Sequence, residues 1–302
     1  MIRRCFGCGG GQCGPKRVDG ETSSWDTGGI QAGWQLREVS LRTPPEGVAA
    51  VAKDWLGLEG RRVLLVGAGG LGAALVTAYL EVGARVLVVD RDRELLNELE
   101  SRHAETDGLS TIAADVTDRE TCVDVVGRAS QELGGLDVLV HAVGVNNRVS
   151  IDEIDPPLWE LIMSVNVESA LWLAQAASRR MLEGGGGHIV FISSVAGLLA
   201  HRHHGVYAAS KAALNQLMRT MAIEWAERGI AVNAIAPGYT LTPLTADYCA
   251  IPGNTEKLVS LIPMGRLGRP EDIVGPTLLL SSDRAGFVTG QVMYVDGGRT
   301  ID

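Results

Sequence analysis

The sequence predicts an α/β protein, a single domain with a doubly wound parallel sheet of about seven strands and helices on both faces. From residue 48 onward, short apolar runs alternate regularly with longer segments of helical periodicity. This alternation is typical of parallel sheets whose two faces are covered by helices. A glycine-rich turn, Gly67-Ala68-Gly69-Gly70-Leu71-Gly72, follows the first apolar run. Turns of this kind lie where ligands bind at the edge of such a sheet.

Each strand is predicted where a short apolar run stands between polar or glycine-rich segments. The runs RVLLV and RVLVVD are clear examples. Strands are expected at 62–66, 85–90, 109–114, 136–143, 189–193, 230–236 and 292–295. Helices are expected between them, from the glycine turn to about 82 and at 93–105, 119–133, 157–182, 205–228, 255–261 and 271–281.

Composition excludes several classes of function. The 302 residues carry a net charge of −9, which disfavours a nucleic-acid partner or an anionic membrane surface. No apolar run reaches the roughly 18 residues that span a bilayer, and the basic first residues are not followed by the apolar core of a signal peptide. The five cysteines form no paired framework, so a cytoplasmic protein is expected.

Residues 1–46 differ from the rest because Gly, Ser, Thr, Pro and charged residues dominate them. We expect a flexible or poorly ordered extension here, followed by the folded domain over 47–302. Cys5, Cys8 and Cys13 suggest a metal at first sight, but a structural zinc site needs four ligands. No histidine lies in the first hundred residues, so no metal site is predicted.

A dinucleotide site is predicted at the glycine-rich turn. Gly67, Gly69 and Gly72 satisfy the pattern G-x-G-x-x-G between a strand and a helix. Glycines let the backbone approach a pyrophosphate, and the helix N-terminus adds N–H groups and a partial positive charge. Asp90 ends the second strand, where a carboxylate can accept the ribose hydroxyls of NAD and would repel the 2′-phosphate of NADP. We therefore expect NAD rather than NADP. The neighbouring cation Arg91 weakens this preference. The structural alternative is that Asp90 only caps the N-terminus of the following helix.

Tyr207 and Lys211 form a second motif. They are four residues apart in a predicted helix, so they lie one turn apart on the same face. An ammonium beside a phenol favours the phenolate, so we expect Lys211 to lower the pKa of Tyr207 and to make it a general acid or base. Ser194 follows an apolar strand, at the end where sheet ligands bind. A Tyr-x-x-x-Lys pair alone is common and usually has no function, so its weight depends on the other motifs.

The order and spacing of these motifs resemble the short-chain dehydrogenase/reductase family over about residues 58–299. Ser194, Tyr207 and Lys211 match the family's catalytic Ser, Tyr and Lys, and Asn166 matches the Asn that completes a tetrad. Two departures stand out. The glycine loop is one residue shorter than the family's T-G-x-x-x-G-x-G, and the family's N-N-A-G reads His141-Ala142-Val143-Gly144. Further matches are Asp115-Val116, Pro237-Gly238 with Thr240 and Thr242, and C-terminal segments within 263–298.

The resemblance implies a Rossmann fold and hydride transfer between NAD(H) and a secondary alcohol or ketone. It implies that Tyr207 exchanges a proton with the substrate oxygen, and that Ser194 hydrogen-bonds the same oxygen. It also implies that Lys211 binds the nicotinamide ribose and that Asn166 holds a water linking Lys211 to solvent. The cofactor-binding residues expected from motif and resemblance are Gly67, Gly69, Gly70, Leu71, Gly72, Asp90, Arg91, Asp115, Val116, His141, Ala142, Gly144, Tyr207, Lys211, Pro237, Gly238, Thr240 and Thr242.

The expected substrate is a small alcohol or ketone, such as a polyol or sugar acid, because residues 144–148 and Asp90 look like members that oxidise such compounds. Candidate substrate residues are Asn146, Ser194, His204 and Tyr239, with residues 239–252 as a lid. The main alternative is an NADPH-dependent 3-oxoacyl thioester reductase, and a more remote one is a non-catalytic dinucleotide-sensing protein. The family also implies a homodimer or homotetramer, assembled through the helices at 157–182 and 205–228.

Overall fold

A seven-stranded parallel sheet lies at the centre of the computed structural model, which describes residues 54–302. The strands are β1 (Arg62–Val66), β2 (Arg85–Asp90), β3 (Leu109–Ala113), β4 (Val138–His141), β5 (Gly187–Ile192), β6 (Ile230–Pro237) and β7 (Val292–Val295). Their spatial order is β3-β2-β1-β4-β5-β6-β7, and all neighbours are parallel. The predicted doubly wound α/β fold is therefore confirmed. The extension predicted over 1–46 lies outside the described residues.

Helices connect the strands, and aspartates begin several of them. Asp92, Asp118 and Asp155 each accept a hydrogen bond from a backbone N–H of the first helical turn, which satisfies a donor that the helix itself leaves unpaired. The helices are α1 (Leu71–Glu81), α2 (Arg93–Arg102), α3 (Arg119–Leu133), α4 (Pro156–Met163), α5 (Ser169–Glu183), α6 (Gly205–Trp225), α7 (Pro243–Ala250), α8 (Asn254–Val259) and α9 (Val274–Leu280).

The helix predicted over 157–182 is interrupted. Residues Ser164–Glu168 form a π-helical segment between α4 and α5. Such segments are rare and often lie at functional sites, and this one contains Asn166. Strand β4 is shorter than the predicted 136–143 at both ends, since it begins at Val138 and ends at His141, after which residues 142–144 leave the sheet. The π-helical segment and the end of β4 are in contact, because Asn166 hydrogen-bonds to the backbone of Val145.

The strands divide their side chains between two cores. Leu64 and Val66 of β1 pack against the side that carries α3, α5 and α6, whereas Val63 and Leu65 pack against α1, α2 and α9. All four side chains are buried. Because successive side chains of a strand point to opposite faces, a sheet covered on both faces needs a continuous apolar run, which is what the strand sequences provide.

The strand order reverses between β1 and β4, since β1 has β2 on its other side. Ligands of open parallel sheets bind in the crevice at such a switch point, beyond the carboxyl ends of the strands. Here the glycine turn leaves β1 and residues 142–144 leave β4. The fold thus brings the two loops together at the edge where a ligand is expected.

Trp159 and Leu161 of α4 are exposed apolar side chains. They lie in one of the two segments expected to contact other copies of the chain. The homodimer or homotetramer and the cytoplasmic localisation stay predictions. No helix within residues 54–302 is both long enough and apolar enough to cross a membrane.

Candidate functional site

A cavity at the carboxyl edge of the sheet gathers most of the predicted site residues. Ser194, Tyr207 and Lys211 line it from the end of β5 and from α6. The predicted cofactor and substrate residues that also line it are Leu71, Ala142, Gly144, Asn146, His204, Pro237, Gly238, Tyr239, Thr240 and Thr242. These residues come from five separated parts of the chain, so the fold and not local sequence assembles the site.

Lys211 is buried beneath Tyr207. The Lys211 Nζ lies 5.8 Å from the centre of the Tyr207 ring and donates a hydrogen bond of 2.9 Å to the backbone oxygen of Ile192, the last residue of β5. Burial lowers the pKa of Lys211 to about 8, because a low dielectric disfavours the charged amine. An ammonium has three donors, so two remain beyond the bond to Ile192.

The prediction that Lys211 lowers the pKa of Tyr207 is wrong for this structure. Burial raises the pKa of Tyr207, and a hydrogen bond from Ser194 only partly opposes that rise. Desolvation of the phenolate therefore outweighs any attraction to the amine, whose own charge is weakened by burial. At neutral pH the Tyr207 hydroxyl carries its proton.

Asn166 connects the loop after β4 to α6. Its Oδ1 accepts a hydrogen bond of 2.8 Å from Val145 N, and its Nδ2 donates to Val145 O and Ser210 Oγ, both at 3.0 Å. A Cβ built on Gly144 would lie 3.3 Å from both Asn166 Oδ1 and Lys211 Nζ. Asn166 thus stands behind the cavity wall, where it holds the loop against Lys211.

Two glycines of the turn after β1 have no room for a side chain. A Cβ on Gly67 would lie 2.8 Å from Val143 N, and a Cβ on Gly72 would lie 1.8 Å from Gly67 O. Gly70 has φ +47°, a conformation that favours glycine. Gly69 is different, because its nearest neighbour would be the Leu95 side chain at 3.7 Å. Gly67 and Gly72 therefore let the turn pack tightly on itself and on the loop after β4, which are roles that glycines have in a dinucleotide-binding turn.

Asp90 anchors the same turn. Its Oδ2 accepts a hydrogen bond of 2.7 Å from Ala68 N, and its Oδ1 accepts one of 2.9 Å from Asp92 N. Each carboxylate oxygen can accept a second bond, so ribose hydroxyls still have acceptors. A second cavity lies beside Asp90. The predicted residues that line it are Asp90, Arg91, Asp115, Val116 and Gly144.

His141 does not contribute to either cavity, contrary to its prediction as a cofactor residue. Its side chain is fully buried, and its Nε2 lies 2.7 Å from Ser169 Oγ. The Ser169 hydroxyl in turn donates to Val165 O in the π-helical segment. Burial lowers the pKa of His141 to about 3, so the ring is neutral. The residue that replaces the family's Asn here joins β4 to the segment that carries Asn166.

One part of the main cavity is polar and cationic. Asn146, Arg148, His201 and His204 line it together with Tyr239. The Asn146 Oδ1 atom and both ring nitrogens of His201 are buried without a partner of hydrogen-bond geometry among residues 54–302. Burial, reinforced by the charge of Arg148, lowers the pKa of His204 to about 4.

Two of these residues, Arg148 and His201, are not among the site residues predicted from the sequence. Both follow strands at the carboxyl edge, but a loop side chain gives no periodic signal of where it points. Only proximity to Asn146 and His204 in the sequence suggested them. Within residues 54–302, no group of three or more His, Cys, Asp or Glu side chains is arranged to hold a metal ion.

The sequence is similar to a family model and to several dehydrogenases and reductases. Residues 67–300 match the family model described as enoyl-(acyl carrier protein) reductase. Gluconate 5-dehydrogenase of Gluconobacter oxydans is 36% identical over 251 residues, which cover 82% of this chain and 98% of the relative. The 3-oxoacyl-(acyl-carrier-protein) reductase of Thermotoga maritima is 35% identical over 250 residues, covering 81% and 99%.

A solved structure agrees with the fold and with these relatives. Gluconate 5-dehydrogenase of Burkholderia cenocepacia, solved in complex with NADP and tartrate, is 32% identical and has a TM-score of 0.79, covering 83% of this chain and 99% of that one. With the sheet order, the glycine turn and the cavity containing Ser194, Tyr207 and Lys211, these matches lead to one conclusion. The chain belongs to the short-chain dehydrogenase/reductase family and is an oxidoreductase that acts on CH–OH groups.

Proposed function

We propose that the chain transfers a hydride between NAD(H) and a small polyhydroxylated secondary alcohol or its ketone. The observation that carries this proposal is the shared cavity. It brings Tyr207, Lys211 and Ser194 to the same edge of the sheet as the glycine turn. A proton-exchanging hydroxyl beside a dinucleotide crevice is what oxidation of an alcohol needs.

The crevice residues fit a dinucleotide. Gly67 and Gly72 allow the close packing of the turn between β1 and α1. Helix α1 begins at Leu71, and the N–H groups of its first turn are the donors that would bind a pyrophosphate. Asp90 would accept hydrogen bonds from the adenosine ribose, and the remaining donors of Lys211 would serve the nicotinamide ribose. When bound, the nicotinamide supplies the acceptor or donor of the hydride.

Tyr207 is proposed to move the proton. Because its pKa is raised by burial, the hydroxyl is protonated at neutral pH and can donate to a ketone oxygen as charge develops there. The Ser194 hydroxyl would stabilise the same oxygen. In the oxidation direction Tyr207 must first lose its proton, so we expect oxidation to be faster at alkaline pH. Asn166 is proposed as a positioning residue, since its amide bonds to Val145 and Ser210.

NAD is proposed as the preferred cofactor, and Asp90 is the reason. Its carboxylate lines the second cavity, where it would bind the adenosine ribose and would repel a 2′-phosphate. The Burkholderia relative was solved with NADP, and Arg91 borders the same cavity, so the relatives give this preference no support. Initial rates with NAD and with NADP separate the two cofactors.

The variant Tyr207→Phe tests the function. We expect turnover to fall by at least about 100-fold, because general acid–base catalysis contributes that much or more. Affinity for NADH, measured by fluorescence titration, should stay within about twofold because the ring remains. Screening a panel of polyols, sugar acids and 3-oxoacyl thioesters first identifies the substrate. Near wild-type turnover in the variant would overturn the role of Tyr207.

A further inference from the structure

Arg148 is the cation of the polar part of the main cavity. It follows β4 in the loop that also carries Asn146. Its guanidinium lies over the Tyr248 ring, 3.4 Å from the ring centre. Tyr248 belongs to α7, within the segment predicted as a lid. The aromatic face orients the guanidinium by a cation–π contact, while the side chain stays exposed to an incoming ligand.

The backbone at Arg148 is held in place from the other side. The next residue, Val149, donates a hydrogen bond of 3.1 Å to His203 O, and a short parallel bridge joins Val149 to His204. Both ends of the Arg148 position, backbone and guanidinium, are therefore anchored. An anchored guanidinium loses less entropy when it binds a ligand.

The surrounding charges favour an anion. Among residues 54–302, no Asp or Glu side chain lines this cavity, and its charged members are Arg148 and Lys211. Burial lowers the pKa of His201, and the nearby charges of Arg299 and Arg148 add to that decrease. A neutral substrate would leave the guanidinium without an anionic partner, and planar guanidinium groups match carboxylates in geometry.

The pyrophosphate of the cofactor is a poor candidate for that anion. The glycine turn meets the start of α7, since a Cβ on Gly70 would lie 3.4 Å from Pro243 Cδ. Arg148 meets Tyr248, five residues further along α7. At 1.5 Å of rise per residue, about 7.5 Å of helix separates the two contacts. The guanidinium and the glycine turn thus contact different turns of α7.

Unpaired polar atoms share the cavity with Arg148. They are Asn146 Oδ1 and the ring nitrogens of His201, which are buried and make no hydrogen bond of good geometry among residues 54–302. The Leu199 backbone lies close enough to His201 to raise its pKa, but it leaves the other ring nitrogen available. A buried polar atom without a hydrogen-bond partner costs free energy. Hydroxyl groups of a ligand would supply the missing partners. An acyl chain would leave them unpaired.

We infer that Arg148 binds a carboxylate of the substrate, and that this enzyme therefore prefers polyhydroxy carboxylates to the corresponding neutral polyols. The inference rests on the proposed function and names its substrate class. Arg148 is a specificity-determining residue, and Asn146 and His201 bind hydroxyl groups of the same substrate.

A matched substrate pair tests the inference. Gluconate and glucitol share a six-carbon polyol chain and differ in a carboxylate against a hydroxymethyl group. We expect Arg148→Met to lower kcat/KM for gluconate by at least about tenfold, the loss of one charge-assisted hydrogen bond. For glucitol the change should stay below about threefold. Arg148→Lys should recover part of the gluconate activity.

A control variant separates charge from position. Arg128 is an exposed residue of α3 outside this cavity, and Arg128→Met makes the same change of net charge. We expect it to leave both substrates unaffected. Equal losses on gluconate and glucitol in Arg148→Met, or a loss explained by weaker NADH binding in fluorescence titration, would overturn the inference.

A binding measurement makes the outcome independent of turnover. Tartrate and threitol, a matched dicarboxylate and tetraol, are titrated calorimetrically into the enzyme with NADH present. The inference predicts that wild type binds tartrate at least about tenfold more tightly than threitol and that Arg148→Met removes the difference. No preference in wild type overturns the inference even if alcohols are oxidised. If the preference is present but no panel compound is turned over with NAD or NADP, the proposed function fails and the inference stands.

Discussion

Lys211 shows how a single residue of the site acts against the stability of the fold. The amine is buried, and its hydrogen bond goes to the Ile192 carbonyl. Burial lowers its pKa from 10.5 to about 8. Below pH 8 the folded protein must therefore hold a proton that its environment disfavours, and the unfolded chain holds the same proton without that cost. Sites of this kind are retained for function and not for stability.

We predict that Lys211→Met raises the free energy of unfolding at pH 7 by about 1–3 kcal/mol, because it removes a buried charge of that cost. Between pH 8 and 10.5 the unfolded chain binds more protons at this position than the folded protein does. Wild-type stability relative to the variant should therefore increase as pH rises through that window. Urea unfolding of both proteins at pH 7.0 and pH 9.5 measures the change.

Lys257 provides the matched control for this measurement. It is an exposed lysine of α8, so Lys257→Met should shift stability by less than about 0.5 kcal/mol at either pH. A Lys211→Met protein that is less stable than wild type at pH 7 would contradict the prediction. It would mean that the bond to Ile192 outweighs the cost of burying the amine.

Tyr207 illustrates where residue-level inference from the sequence fails. Spacing alone placed Tyr207 and Lys211 on one face of α6, and the structure agrees. The direction of the Tyr207 pKa shift depends on how deeply both groups are buried, which helix periodicity does not contain. Arg148 was missed for a similar reason, since its place in the cavity depends on the stacking with Tyr248.

At the scale of elements, the turn between β1 and α1 has two kinds of glycine. A Cβ on Gly72 would clash with Gly67 O at 1.8 Å, whereas a Cβ on Gly69 would make an ordinary contact at 3.7 Å. Helix α1 can therefore approach β1 only with glycine at position 72. The pattern G-x-G-x-x-G gives both positions the same letter and does not reveal this difference.

We predict that Gly72→Ala lowers the free energy of unfolding by about 2–3 kcal/mol, because the backbone of β1 or α1 must move to accept the methyl group. Gly69→Ala should change it by less than about 1 kcal/mol. Denaturant unfolding of the two variants measures the difference in their free energies of unfolding. A Gly72→Ala protein that is too unstable to purify, when Gly69→Ala is soluble, would also support the prediction. Equal stability of both variants would show that the turn relaxes freely.

The strands and most helices followed from the sequence because their apolar periodicity is local information. The π-helical segment did not, because its cause is tertiary. Asn166 bonds to Val145 and Ser210, and Ser169 bonds to His141 and Val165. The partners of Asn166, and the His141 partner of Ser169, lie on other elements, so the sequence of the helix does not contain them. The bond from Ser169 to Val165 is one that regular helices also form. The sequence therefore predicted a continuous helix over 157–182, and its interruption coincides with the one residue of the helix that was assigned to the site.

At the scale of the whole molecule, the parallel sheet collects the carboxyl ends of its strands at one edge, where both cavities lie. A cofactor bound there would contact α6 and the loops after β1, β2, β3, β4 and β6 at once. Binding would consequently stabilise the whole fold and not one loop. A ligand present at 100 times its Kd adds about 2.7 kcal/mol to the free energy of unfolding.

We predict that NADH raises the midpoint of thermal unfolding by roughly 5–10 °C under that condition, and that NADPH at the same concentration raises it by less, because the Asp90 carboxylate repels a 2′-phosphate. In Asp90→Asn the difference between the two cofactors should narrow. That variant also loses an acceptor for Ala68 N or Asp92 N, so its midpoint of thermal unfolding without cofactor will fall. The rise in midpoint with each cofactor is therefore measured from that of the same variant without cofactor. If NADPH stabilises wild type as strongly as NADH, Arg91 outweighs Asp90 and the proposed NAD preference is wrong.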